Sequence, residues 1–169
     1  MPVNKLKLVP DSDPVLHQPA PEVAITGSQL RGGKSYPDFG AEVIAELSDM
    51  YDLMKMQRAI GIAAPQVGLA KRMCIVAVGH DVHFMINPKI TFSSGIKQTA
   101  LEGCLSYPGQ QAKVSRSLSL VVEFYDRSGI FHKLRAQGLL ARCIAHEVDH
   151  LDGIVMHDRV SVADKRQAS

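Results

Sequence analysis

No apolar run in this chain approaches the ~20 consecutive residues that a membrane-spanning helix needs. The N-terminus lacks the basic-then-apolar order of a secretory signal, and Asp11, Asp13 and Glu22 argue against a transit peptide. Neither sign of charge dominates. Nineteen Lys and Arg against seventeen Asp and Glu give +2 at pH 7, so no strong field for nucleic acid or an anionic membrane is expected. Cysteine is scarce and odd in number. Cys74, Cys104 and Cys143 are widely spaced, which fits a reducing compartment with at least one thiol free for chemistry. A cytoplasmic protein is expected, without nucleic-acid or membrane partners.

What is present is ordinary in bulk: 169 residues, 46% apolar and 21% charged, enough for one domain with a sizeable core. No internal repeat and no linker divides the chain. Residues 1–169 are therefore expected to form a single catalytic domain.

The most informative stretch is His146-Glu147-Val148-Asp149-His150. It lies in a run, 138 to about 151, that reads as a helix because Leu139, Leu140, Cys143, Ile144 and Leu151 recur at three- and four-residue spacing. Residues four apart on a helix lie ~40° apart around its axis, so His146 and His150 share a face. Two imidazoles so placed can reach one metal ion, with Glu147 beside it as a base for the attacking water. The alternative is a surface helix carrying two histidines and a glutamate. Such a helix would not normally follow an apolar run as dense as 139–145.

Elsewhere the pattern is coarser. Residues 3–9 partly alternate and suggest a short strand. Pro10, Pro14, Pro19 and Pro21 make 10–24 an extended surface segment. Gly27, Gly32 and Gly33 mark 26–37 as a flexible loop, not a phosphate-binding loop, since no glycine stands five residues before Gly33. Asp38 is a candidate N-cap for a helix running to about 57. The segment 59–68 is small and apolar, with Gln66 its one amide side chain. Residues 72–79 predict a buried strand, 82–87 and 89–92 a second interrupted by Pro88, and 117–126 with 130–135 a hairpin. Cys74 reads as a core thiol, His80 and His83 as solvated, and Ser161 to Asp164 as a capping box.

A catalytic two-histidine site needs a third ligand. No glutamate follows Glu147. In the extended form His-Glu-x-x-His-x-x-Gly-x-x-His, Gly153 is in frame, but the last position falls on Met156 and His157 misses by one. The best remaining ligand is upstream, Cys104, whose thiolate suits Fe(II), Zn(II), Ni(II) or Co(II).

Three stretches, Ala59-Ile-Gly-Ile-Ala-Ala-Pro-Gln66, Glu102-Gly-Cys-Leu-Ser106 and Ala145-His-Glu-Val-Asp-His150, together resemble the peptide deformylase family in order and separation. The likeness runs from about residue 10, where Asp13-Pro14-Val15-Leu16 matches the family's usual start, to Gly153. It implies an α+β fold, with small mixed or antiparallel sheets packed around a central helix that carries His-Glu-x-x-His. It implies Cys104, His146 and His150 as ligands of one divalent ion, Fe(II) in the family, with zinc usually a poor substitute. Glu147 would be the acid/base, and Gln66 with the Leu105 N–H would stabilise the oxyanion. Arg116 would pair with Glu102 behind the ligands, as in the family. The implied substrate and partner is an N-formylmethionyl peptide, met at the ribosome by a monomeric enzyme that releases formate.

Beside the metal, Leu139 and Cys143 share the face of His146 and should wall an apolar pocket, with Ile60, Gly61 and Ile62 opposite and Gly103 lining it. Arg142 reads as a solvated side chain. The chain departs from the family at Ala59, a glycine there, at Ile62, a leucine, and at Ala145, a glutamine. Glycine at 59 would be free of the φ < 0 that alanine demands. The long C-terminal helix of many bacterial members is not expected after residue 153. Two other readings stay open: a zinc endopeptidase, which shares only the pentapeptide, and a non-catalytic metal- or peptide-binding relative.

Overall fold

The computed structural model describes residues 6–160. Its strands are β1 (Gly27–Arg31), β2 (Lys34–Asp38), β3 (Gly61–Ala63), β4 (Met73–Val78), β5 (Asp81–Ser93), β6 (Lys97–Cys104), β7 (Tyr107–Ser117), β8 (Ser119–Tyr125) and β9 (Phe131–Gln137). The helices are α1 (Ala41–Met56) and α2 (Gly138–Leu151), with single 3-10 turns at Pro14–His17, Ala64–Val67 and Met156–Arg159. A five-stranded antiparallel sheet of order β3-β4-β5-β8-β9 is flanked by two hairpins, β1-β2 and β6-β7. The architecture is α+β as expected, and every strand pair described is antiparallel.

Side chains alternate across a strand, and β4 uses this to serve two helices. Met73 and Ile75 join Val43, Leu47, Met50 and Met54 of α1, while Cys74 and Val76 join Ile144, Val148 and Leu151 of α2. The central sheet therefore lies between α1 and α2. A third apolar cluster, Leu16, Val114, Val155 and Met156 among its members, anchors β7 to the 3-10 turns Pro14–His17 and Met156–Arg159.

Several expectations need correction. Segment 26–37 is not a loop but the β1–β2 hairpin. Its turn residues Gly32 and Gly33 have φ of 53° and 75°, and positive φ at both positions is what a tight two-residue hairpin turn requires. Asp38 ends β2 rather than capping α1. The cap is Gly40, whose N–H donates to Asp38 Oδ1 at 2.9 Å. Pro88 does not divide β5. The strand absorbs it in a register shift between Ile86 and Lys89, with Asn87 at φ 54° exchanging two side-chain hydrogen bonds with the Val23 backbone. The strand expected at 3–9 falls partly outside the described residues, and 6–9 join no ladder. Segment 10–24 is mostly irregular as expected, yet it buries Leu16 completely. His83 is half-buried against Phe124 rather than solvated. The capping box proposed for Ser161 to Asp164 lies outside the described residues.

Candidate active site

Helix α2 begins where the chain leaves β9 and buries one long face on the sheet. That face carries His146, Glu147 and His150 inward, all of them buried. The rings of His146 and His150 stand 5.0 Å apart, centre to centre. Cys104 comes from the end of β6. There the β6–β7 register slips, pairing Gly103 with Gln111 but Cys104 with Tyr107. Cys104 Sγ sits 3.2 Å from His150 Nε2, and one donor atom each of Cys104, His146 and His150 lie within 4.8 Å of one another. A thiol and two imidazoles at that separation suit a transition-metal ion. Among the described residues this is the one such group of three.

Behind the donors runs a layer of charge. Because β6 residues two apart share a face, Glu102 follows Cys104 inward. Its Oε2 accepts from His146 Nδ1 at 2.9 Å, which leaves the other ring nitrogen for a metal. Arg116 grips the same carboxylate with two bonds of 2.6 and 2.9 Å. The pair is buried, not an ordinary surface ion pair. Arg142, expected in solvent, instead donates to Glu102 Oε1 at 2.6 Å and to the Val114 carbonyl at 2.9 Å. It lies four residues before His146 on the same helical face, a signal that could have placed it.

The titrations diverge with these surroundings. Burial alone would raise the Glu102 carboxyl, but hydrogen bonds from His146 and Arg116 outweigh it and pull the value down to about 2. Burial lowers His146, yet its bonds to Cys104 and Glu102 bring it up to about 10. Burial, reinforced by positive charge on His146 and Arg116, pushes His150 down to about 3 and so keeps it neutral. Glu147 is fully enclosed, and that burial raises it to about 7 against the pull of His146 and Arg116. Its Oε2 has no hydrogen-bond partner. A carboxyl near neutrality with a free oxygen is poised to move a proton.

A cleft of about 1220 Å³ opens in front of this layer. Ile60, Gly61, Gly103, Leu139 and Cys143, named from the sequence as pocket residues, line it, and so does Leu105, named there for its backbone N–H. Ile62 does not. Alternation along β3 turns its side chain to the α1 side of the sheet, where it is fully buried. Gly61 passes so close to α2 that a Cβ there would stand 2.2 Å from Glu147 Oε1 and 2.9 Å from Cys143 Sγ. Gln66 does two things: its Oε1 accepts the Ala63 N–H at 2.9 Å, and its Nε2 faces Ser106 Oγ at 3.2 Å and Cys104 Sγ at 3.5 Å. Ala59 has no positive φ. The left-handed residue is Arg58, at 55°, so alanine at 59 fits its backbone without strain. Ser106, Asp149 and Arg159 also join the surroundings of the site; Ser106 and Asp149 stood in the matched stretches without a role assigned to them, and the sequence carried no signal for Arg159.

His157 does not extend the ligand set. Its Nε2 meets Gln110 Oε1 at 3.0 Å and its ring packs edge-on to Tyr107, while Met156 is buried. Among the described residues, no side chain downstream of the helix joins His146 and His150 as the ligand a zinc endopeptidase would need.

The polypeptide deformylase family model matches residues 5–166. This chain belongs to the polypeptide deformylase family. It is a hydrolase acting in the removal of formyl groups from nascent peptides. It is 37% identical over 164 residues to a peptide deformylase of Natranaerobius thermophilus, covering 96% of this chain and 97% of the relative. The fold matches a Synechococcus elongatus peptide deformylase in complex with actinonin, with a TM-score of 0.85 and 34% identity over 99% of this chain and 85% of the other. It also matches a Met-Ala-Ser-bound peptide deformylase of Acinetobacter baumannii, with a TM-score of 0.79 and 29% identity over 92% of this chain and 98% of the other. No helix among the described residues is long and apolar enough to cross a membrane.

Proposed function

We propose that Cys104, His146 and His150 hold one divalent ion, Fe(II) in the cell, and that Glu147 moves the proton in hydrolysis of N-formylmethionyl peptides. The carrying observation is the convergence of Cys104 on the two histidines beside a buried, partnerless Glu147 oxygen. The donor set fits a metal, since Glu102 already occupies the far nitrogen of His146. A divalent ion supplies Lewis acidity that lowers the pKa of water and polarises a carbonyl.

Glu147 accepts a proton as water adds to the formyl carbon. It returns that proton to the amine nitrogen as the C–N bond breaks, leaving formate and a free N-terminus. Gln66 Nε2 and the Leu105 backbone N–H stabilise the oxyanion. Two such donors are each worth ~3 kcal/mol of barrier when preorganised in a site closed to water. Gln66 is preorganised in this sense because its Oε1 is already committed to Ala63. Ile60, Leu139 and Cys143 form the apolar wall for the methionine side chain, and Gly61 and Gly103 let the peptide backbone approach. The Met-Ala-Ser-bound relative supports a peptide lying in the equivalent cleft. The chain acts as one catalytic domain in the cytoplasm.

The test is formate release from a formyl-Met-Ala-Ser peptide by protein prepared without oxygen and loaded with Fe(II) or Ni(II). The same protein should leave unformylated peptides and casein intact. Casein cleavage without formate release would overturn the reading in favour of an endopeptidase.

A further inference from the structure

Beyond the Glu102–Arg116 pair, the buried charge continues away from the metal ligands. The third N–H group of Arg116, on Nη1, donates to Asp149 Oδ2 at 2.8 Å. Asp149 neighbours His150 on α2 and is itself buried. It is gripped from its far side by Arg159, through Nε to Oδ2 at 2.9 Å and Nη2 to Oδ1 at 2.5 Å. An unbroken chain of hydrogen-bonded charges thus runs from His146 through Glu102, Arg116 and Asp149 to Arg159, outside α2, in the turn Met156–Arg159.

We propose that Arg159 is a positioning residue for the metal centre, acting through Asp149 and Arg116. The proposal rests on Cys104, His146 and His150 holding a metal ion. A two-pronged arginine–carboxylate pair fixes the plane of the carboxylate. With Arg159 in place, Asp149 meets Arg116 through one oxygen, and the fork of Arg116 stays on Glu102. Left with Arg116 alone, the carboxylate turns to take two of its N–H groups, and Arg116 is drawn off Glu102. The imidazole of His146 then loses the acceptor that sets its tautomer and ring angle. Arg159 is not needed to hold its own turn. Buried Val155 and Met156 and the Val155 N–H to Asp158 Oδ2 bond of 3.0 Å do that, and the Arg159 side chain is 44% exposed.

The experiment compares Arg159→Gln and Arg159→Lys with the native protein, each loaded with Co(II). It reads the ligand-field absorption of the bound ion and its rate of release to EDTA, well below the unfolding temperature. Loss of a partner behind a metal ligand weakens metal binding by ~10–100-fold, so Arg159→Gln should release Co(II) at least ~10-fold faster, with shifted absorption bands. Its kcat for formate release should fall while KM holds. Arg159→Lys, which keeps the charge without the fork, should lie between. An unchanged spectrum and release rate in Arg159→Gln, with only a lower Tm, would overturn the proposal and leave a structural anchor. Native protein that takes up no Co(II) would overturn the metal reading, and this proposal with it.

Discussion

The two faces of the central sheet are built on opposite terms. Toward α1, Met73, Ile75 and Ile86 meet Val43, Leu47, Met50 and Met54 in a wholly apolar layer. Toward α2, an apolar layer of Cys74, Val76, Ile144 and Val148 gives way at its edge to buried Glu102, Arg116, His146, Glu147, Asp149 and His150. Burying a charge is costly unless it is paired. On the α2 side the charges of Glu102, Arg116 and Asp149 are paired, whereas Glu147 Oε2 and His150 Nδ1 lack partners. The apolar face holds the sheet together. The polar edge spends part of that cohesion to keep one carboxyl unpaired where a proton must move.

The sharpest way to separate the faces is Glu147→Gln. It should cut kcat by ~10²–10⁴-fold, the usual worth of a positioned acid/base. Metal content should be retained and the urea midpoint should not fall, because no native hydrogen bond to Glu147 Oε2 is lost. Retained formate release with full metal occupancy would remove Glu147 from the reaction. On the apolar face, Leu47→Ala should cost ~2–5 kcal/mol in urea unfolding and leave kcat per folded molecule unchanged. A selective kcat loss would show that α1 reaches the site.

Acid distinguishes the faces more gently. The Glu102 carboxyl falls from an ordinary 4.5 to about 2 on folding. Its contribution to stability is therefore complete above 4.5 and disappears as pH drops from 4.5 toward 2. Urea midpoints should decline across that window, and Glu102→Gln should flatten the decline while lowering the neutral plateau. A parallel decline in both proteins would contradict the pairing. The smallest effect is expected from Ala59→Gly. The family's glycine there should change kcat/KM by less than ~3-fold, since the left-handed residue is Arg58 and alanine carries no backbone penalty at 59.

Sequence reasoning reached what is local or strongly periodic. The bounds of α2 and the shared face of His146 and His150 followed from helical spacing, and the β8–β9 hairpin from alternation. Cys104 entered because no downstream ligand was available, and the family resemblance then supported it. The β6–β7 hairpin escaped because Lys97, Gln98, Thr99 and Leu101 are all exposed and show no alternation. At 26–37, Gly32 and Gly33 were read as flexibility when they specify a turn. Ile62 was placed in the pocket by its neighbours in sequence, whereas strand alternation sends it the other way. The role of Asp149 was missed although the residue stood in the motif, and Arg159 could not be found at all, since both depend on Arg116 arriving from a distant strand.

Gly61 carries one more consequence, in the terms of inhibitor escape. A bound molecule that draws its affinity from the backbone at 61 contacts a position where any side chain would collide with Glu147 and Cys143. Rim residues such as Ile60 and Leu139 can change to evade a ligand at little cost to folding. At 61, a substitution that excluded the ligand would also displace the carboxylate on which turnover depends.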